Sequence, residues 1–296
     1  MTGEHAAAAG SLLEVRSLSV GYEAPAGFLG RRKVVPAVED VSFTIAPGET
    51  LGFVGESGSG KSTVGKAILR LVPPMAGQIV FDGRDVAEDG PRPPLAYRRD
   101  VQAVFQDPAA SLNPRQLVSH AIETPLRRHG VTDRSEIRSR TLEAFEMVGL
   151  TRDHLQRFPN ELSGGQQQRV AIARALVLRP RLVVCDEAVS ALDLSTQGQI
   201  INLLGDLQEA TGVSYLFIAH DLGLVRHIAH RVGVMSAGRL VELAETESIF
   251  ESPVDPYTRR LLGATPASHP EGRDERRARR QAFREKSAGA IRAEAR

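Results

Sequence analysis

The 296-residue chain is 42% hydrophobic with a net charge of +1; the length suits one large α/β domain or a core with an inserted subdomain, and the balanced charge predicts no nucleic-acid partner. No apolar run approaches the roughly 20 residues that cross a bilayer, and MTGEHAAAAG lacks the pattern of a secretory signal, so the sequence predicts a soluble, cytoplasmic chain whose membrane role comes through a partner. The single cysteine, Cys185, excludes an intrachain disulfide and a four-cysteine metal site, and in the apolar run RLVVC it reads as a small buried hydrophobe.

Residues 1–11 read as disordered. LEVRSLSV (13–20) alternates apolar and polar residues with one slip, as a half-buried strand does, and VSFTI (41–45) alternates more cleanly before the Pro47-Gly48 turn. Between them, 23–36 reads as a long connection with Pro25, Gly27, Gly30 and the basic triplet Arg31-Arg32-Lys33. TLGFV (50–54) is a continuous apolar strand running into GESGSGKST (55–63), after which a helix is expected from Ser62 to Leu71, stopped by Pro73-Pro74.

That glycine loop fits G-x-x-x-x-G-K-[ST] in the strand–loop–helix context the motif requires. Gly55, Gly58 and Gly60 let the backbone curl around phosphates, with Ser57 and Ser59 between them, and the helix N-terminus adds partial positive charge. Lys61 would reach the β- and γ-phosphates, Ser62 would offer its hydroxyl to Mg²⁺, and Thr63 would touch the α-phosphate. A Gly-Ser run also reads as a flexible loop; the flanking strand and helix favour the phosphate reading.

IVFDG (79–83) is a strand and turn, and 107–160 shows no strand but helical stretches, notably 134–148, which predict an inserted helical subdomain. Beyond it the pattern runs helix 163–178, strand 181–185, helix 196–210, strand 214–218, helix 222–229. That alternation predicts a parallel sheet with helices packed on it. VGVM, the turn Ser236-Ala237-Gly238 and RLVE predict a closing hairpin. The last 27 residues hold nine Arg/Lys against five Asp/Glu and read as a solvated tail or a frayed charged helix.

LVVCDE (182–187) is an apolar strand ending in two carboxylates. At a parallel-sheet edge Asp186 is placed to hold Mg²⁺ through water and Glu187 to act as general base on an attacking water; such a pair also serves as a helix cap. Gln106 precedes a Pro108…Pro114 loop and its amide can ligate Mg²⁺ or position water, although a Gln before a proline means little alone. His220 closes the strand SYLFIA and could bond a γ-phosphate; a histidine there is more often structural.

The ordered set GESGSGKST, Gln106, LSGGQQQR (162–169), LVVCDE, SALD (190–193) and His220 resembles the nucleotide-binding subunit of an ABC transporter over roughly residues 12–265. The resemblance implies an α/β P-loop NTPase (RecA-like) core of the ABC ATPase type. It also implies an antiparallel β subdomain and an inserted helical subdomain at about 107–178, the whole cassette spanning 12–250. It implies a head-to-tail dimer holding two ATP molecules between subunits. Ser163, Gly164, Gly165 and Gln166 would then face the partner's ATP from a helix N-terminus, and Asp193 would lie at the interface. Tyr22 matches the aromatic that stacks on adenine, and Phe28 is a second possibility. A small-molecule kinase would leave LSGGQ unexplained.

VFQDPAASLNPR (104–115), DEAVSALDLSTQ (186–197), the long loop before VVPAVEDVSF (34–43) and SPVDPYTRRLL (252–262) are similar to the F-type ATPase subunit of bacterial oligopeptide/dipeptide importers, and nickel importers of the same subfamily are similar too. Some relatives bind an iron–sulfur cluster through C-terminal cysteines, which this chain lacks. The likeness implies an extension at 251–265 and a charged tail at 266–296. It implies a second ATPase subunit (a paralogue favoured over a copy), two membrane-spanning permease subunits with one helix received by 106–115, and an extracytoplasmic binding protein acting indirectly. The place implied is the cytoplasmic face of the membrane. A non-transport ABC ATPase, such as an accessory subunit of a phosphonate-cleaving complex, is the alternative.

Overall fold

The structure, a computed structural model, describes residues 10–26, 31–90 and 92–264. The expectations for the tail and for Phe28 lie outside the described residues, as do those for residues 1–9. Ten strands and ten α-helices follow one another among the described residues. Strands β1 (Leu13–Ala26), β2 (Arg31–Ile45) and β3 (Thr50–Val54) lead into helix α1 (Lys61–Ile68), followed by β4 (Ala76–Phe81), β5 (Arg84–Asp85), α2 (Leu95–Asp100) and β6 (Val101–Phe105). A helical stretch comes next: α3 (Pro108–Ser111), α4 (Val118–Arg128), α5 (Arg134–Met147) and α6 (Gly164–Leu176). The chain then alternates through β7 (Leu182–Asp186), α7 (Leu194–Thr211), β8 (Ser214–Ile218) and α8 (Leu222–Ile228), and ends in β9 (Arg231–Ser236), β10 (Arg239–Glu245), α9 (Thr246–Glu251) and α10 (Pro256–Ala264).

Two sheets result. The larger has the order β10-β9-β3-β8-β7-β6, parallel throughout except for the β9–β10 hairpin. Its inner strands read as unbroken apolar runs because both of their faces are buried. Leu182 and Val184 of β7, with Leu216 and Ile218 of β8, join a core shared with α1 and the second sheet. Val183 and Cys185, with Tyr215 and Phe217, join the core under the helical stretch. The period-2 alternation is present but divides two apolar environments. Cys185 is fully buried, and burial pushes its thiol pKa up to about 12, so it behaves as the small hydrophobe expected.

The smaller sheet is antiparallel, in the order β2-β1-β4-β5. The slip in LEVRSLSV corresponds to a register shift between Val15 and Leu18, with Ser17 at φ 46. The connection expected at 23–36 is corrected by the structure: β1 continues to Ala26 and pairs with β2 from Arg31. Tyr22 and Glu23 of β1 and Lys33, Val34, Val35 and Pro36 of β2 are exposed, so no core imposes an apolar alternation there to betray a strand. The β9–β10 turn puts Ala237 and Gly238 at φ 46 and 82, the mirror-image turn that suits strand twist.

Phe53 on β3 is fully buried and meets Phe43 edge-on at 4.9 Å. Phe53→Ala is expected to lower the unfolding free energy by about 3–5 kcal/mol, through lost burial and a cavity between the sheets. Urea denaturation of the variant beside the wild type measures it, and a loss below about 1 kcal/mol would mean the site collapses or is hydrated.

Candidate nucleotide site

The glycine loop leaves the end of β3 and is pressed against its neighbours. Gly55 has φ 147, and a Cβ there would lie 2.1 Å from Met235 O; Gly60 has φ 103, and a Cβ would lie 2.6 Å from Ala37 O. Only glycine fits both the backbone angle and the space. The loop closes through Ser59 N–H to Glu56 O (3.2 Å) and Gly238 N–H to Ser59 O (3.1 Å). Lys61 opens α1 and turns back into the loop, where its Nζ donates to Gly55 O and Glu56 O, both at 2.8 Å, and to Ser59 Oγ at 3.3 Å. It is only 4% exposed. Burial pulls its pKa down, opposed by the Glu187 and Asp186 carboxylates. A buried ammonium among neutral acceptors is under-compensated, and a phosphate anion is the group that would complete it. Ser57 and Gly58 lie on the exposed rim.

The second half comes from register. In the parallel sheet Phe53 pairs with Ile218, Ile218 with Asp186, and Asp186 with Phe105. All four strands therefore end level, and the residues just beyond them, Gly55, His220, Glu187 and Gln106, share one edge. Ser62 Oγ donates to Asp186 Oδ1 at 2.6 Å, which joins the loop helix to the acidic strand end. Glu187 has φ 51, an arrangement held by its N–H bond to Ile218 O (2.9 Å) and by Ser190 N–H to Glu187 O (3.1 Å). A non-glycine residue in that region carries a strain of about 1–3 kcal/mol. Gln106 and His220 are exposed at the same edge.

No cluster of three His, Cys, Asp or Glu that could hold a metal occurs among the described residues. The Ser62–Asp186 pair offers one hydroxyl and one carboxylate. That donor set fits Mg²⁺, which keeps several waters and takes phosphate oxygens as its remaining ligands. Tyr22 Oη lies 3.3 Å from Thr63 Oγ1, and the ring is 42% exposed beside the start of α1. Its cross-strand partner Val35 is also exposed.

The LSGGQ residues form a separate surface. Ser163 caps α6: its Oγ accepts from Gln166 N–H (3.3 Å), and its own N–H donates to Gln166 Oε1 (3.0 Å). Gln166 Nε2 also lies 3.2 Å from His154 Nε2. Asp193 caps α7, accepting from Thr196 N–H (2.9 Å), Ser195 Oγ (2.5 Å) and Thr196 Oγ1 (2.8 Å). These bonds, the Ser195 hydroxyl foremost, hold its carboxyl well below the usual carboxylate range. The two helix starts adjoin, since a Cβ on Gly165 would meet Thr196 Cγ2 at 2.7 Å. Gly164 and Ser163 are exposed there. None of these bonds reaches the chain's own glycine loop: the structure assembles Lys61, Ser62, Asp186, Glu187, Gln106 and His220 along one edge, while Ser163 and Asp193 are exposed at the starts of α6 and α7.

One contact at the site was not expected. Tyr257 Oη accepts from Glu56 N–H at 3.2 Å, across 201 positions of sequence. SPVDPYTRRLL marks the segment, but nothing in its spacing says where the tyrosine points.

The ABC transporter family profile matches residues 38–190, just over half of the chain, and the profile for the oligopeptide/dipeptide transporter C-terminal region matches 241–289. The glutathione import ATP-binding protein GsiA of Escherichia coli O157:H7 is 51% identical over 260 residues, and that of Salmonella choleraesuis 50% over 262. Each match covers 88% of this chain, which spans 42% of the length of those relatives. Among solved structures, the post-hydrolysis dimer of the ATP-binding cassette MJ0796 bound to ADP and Pi is 31% identical with a TM-score of 0.68, over 79% of this chain and 98% of that one. The cassette cbiO1 of Clostridium perfringens is 26% identical with a TM-score of 0.70, over 82% and 92%.

Proposed function

Because the chain belongs to the ABC transporter family, we propose that it is the ATP-hydrolysing motor subunit of an importer for oligopeptides or dipeptides, working as a head-to-tail dimer around two ATP molecules. The observation that carries the nucleotide reading is the 2.6 Å bond from Ser62 to Asp186, which gathers phosphate loop and acidic strand end into one site. In this reading Lys61 leaves its carbonyl acceptors for the β- and γ-phosphates, the loop amides hold the same oxygens, and Tyr22 stacks on the base. Ser62, Asp186 and Gln106 would hold Mg²⁺, which would neutralise phosphate charge when bound. Glu187 takes the proton of the attacking water, and His220 bonds the γ-phosphate. Ser163, Gly164, Gly165 and Gln166 act on the ATP of the other subunit, beside Asp193.

Support for a peptide importer comes from the match over 241–289 and from relatives named for glutathione import. No described helix is long and apolar enough to cross a membrane; in the importer reading the motor acts peripherally, on the cytoplasmic face, through permease subunits. A groove of about 550 Å³, lined by Leu95, Leu112, Asn113, Leu117, Val118 and Arg128 among others, offers a seat for a permease helix. Co-purification decides the partner: permease chains with a second ATPase subunit support the importer, and a soluble lyase core would replace it with a phosphonate-cleaving complex. Cargo assays on the assembled complex separate peptide from nickel transport.

Lys61→Ala tests the nucleotide site directly. Removing the buried charge is expected to weaken ATP binding at least about tenfold, since charge-assisted bonds contribute about 1.5–3 kcal/mol each. Titration with fluorescent ATP reads it, and unchanged affinity would remove Lys61 from the site.

A further inference from the structure

The C-terminal segment after β10 is tied down as a strut. The Glu242 carboxylate accepts from Val254 N–H (2.7 Å) and Asp255 N–H (3.0 Å), fixing the turn before α10. Asp255 accepts from Tyr257 N–H at 2.7 Å, and Arg259 reaches back to Pro253 O (2.9 Å) and Val254 O (3.1 Å). Tyr257, Leu261 and Leu262 pack against the core under the helical stretch, so the ring is held from behind while its hydroxyl projects forward. It meets the N–H of Glu56, second residue of the glycine loop, at 3.2 Å. The carbonyl of that same residue accepts from Lys61 Nζ. One residue of the loop therefore takes the hydroxyl on its amide and the phosphate-binding ammonium on its carbonyl.

We propose that Tyr257 is a positioning residue for the phosphate loop, and that through it the C-terminal segment sets how firmly the loop holds ATP. The inference rests on the ATP-binding reading above. A loop fixed before the nucleotide arrives loses less freedom on binding, so affinity rises without any added contact to the ligand. The hydroxyl touches no nucleotide atom in this account; it orients the Glu56 peptide, and any movement of 252–264 would reach the loop through that bond.

The test uses the full chain and two variants. Tyr257→Phe keeps the ring and removes the acceptor; Glu242→Ala keeps the tyrosine and frees the turn that aims it. Both are expected to weaken Mg·ATP binding about 2–10-fold, the range of a single hydrogen bond, and to speed hydrogen exchange at the Glu56 amide in the nucleotide-free protein. Tyr257→Phe is expected to keep the melting temperature of the wild type, which separates positioning from loss of fold. Unchanged ATP affinity, or unchanged Glu56 exchange in Tyr257→Phe, overturns the proposal. If the wild type itself binds no ATP, the nucleotide reading fails first, visibly in the control arm, and this inference falls with it.

Discussion

Glu187→Gln is expected to bind ATP with wild-type affinity and to hydrolyse it at least ~10²-fold more slowly, the loss that follows removal of a general base. The argument starts from the end of β7. Asp186 is held by Ser62, so its oxygen is tied to the helix that Lys61 opens, the residue proposed to hold the phosphates. Glu187 follows at φ 51, its backbone fixed by Ile218 O and Ser190 N–H. The backbone leaves its strand conformation between the two carboxylates; in the proposed reading Asp186 serves the cation and Glu187 the water. A glutamine keeps size and hydrogen bonding but cannot accept a proton. Nucleotide should then persist uncleaved and hold the dimer closed, visible as an ATP-dependent increase in mass on size exclusion. Wild-type turnover in Glu187→Gln would move the base elsewhere, with His220 the next residue along the same edge to examine.

Much of this site is legible in the sequence because its parts are local. GESGSGKST needs only a strand before it and a helix after it, and LVVCDE announces a strand end by apolarity followed by charge. The level edge is a consequence of parallel pairing, inferred from the alternation of strands and helices and visible in the Phe53–Ile218–Asp186–Phe105 register. β6 was harder to see. VQAVF is apolar, but five residues give too few periods to separate strand from helix. Its pairing with β7 makes it a strand. The ribbon of β1 and β2 stayed hidden because prolines, glycines and basic residues resemble a loop when no core imposes a pattern. Tyr257 was hidden for another reason: its partner is a backbone amide, which has no identity in the sequence.

The last expectation concerns the outward surface. Ser163→Arg should leave ATP binding by the isolated subunit intact and abolish hydrolysis in the assembled dimer. In the structure Ser163 caps α6 with its own side chain, and none of its bonds reaches the chain's own loop. A substitution there has no direct route to the ATP bound by Lys61 of the same chain. In the composite-site reading it would have one to an ATP presented by a partner, because the exposed start of α6 adjoins that of α7 and a helix N-terminus carries the partial positive charge that favours an anion. Arginine would put bulk and an extra charge where, in the proposed head-to-tail dimer, the partner's γ-phosphate would enter. Loss of the cap also costs the helix about 1 kcal/mol, so the melting temperature of the variant must be measured beside its affinity and turnover. Intact binding with lost turnover supports a composite site. Normal turnover, or binding lost in a subunit that still melts as the wild type does, overturns it. With a paralogous partner the substitution disables one of two sites, and the variant of both chains together gives the decisive reading.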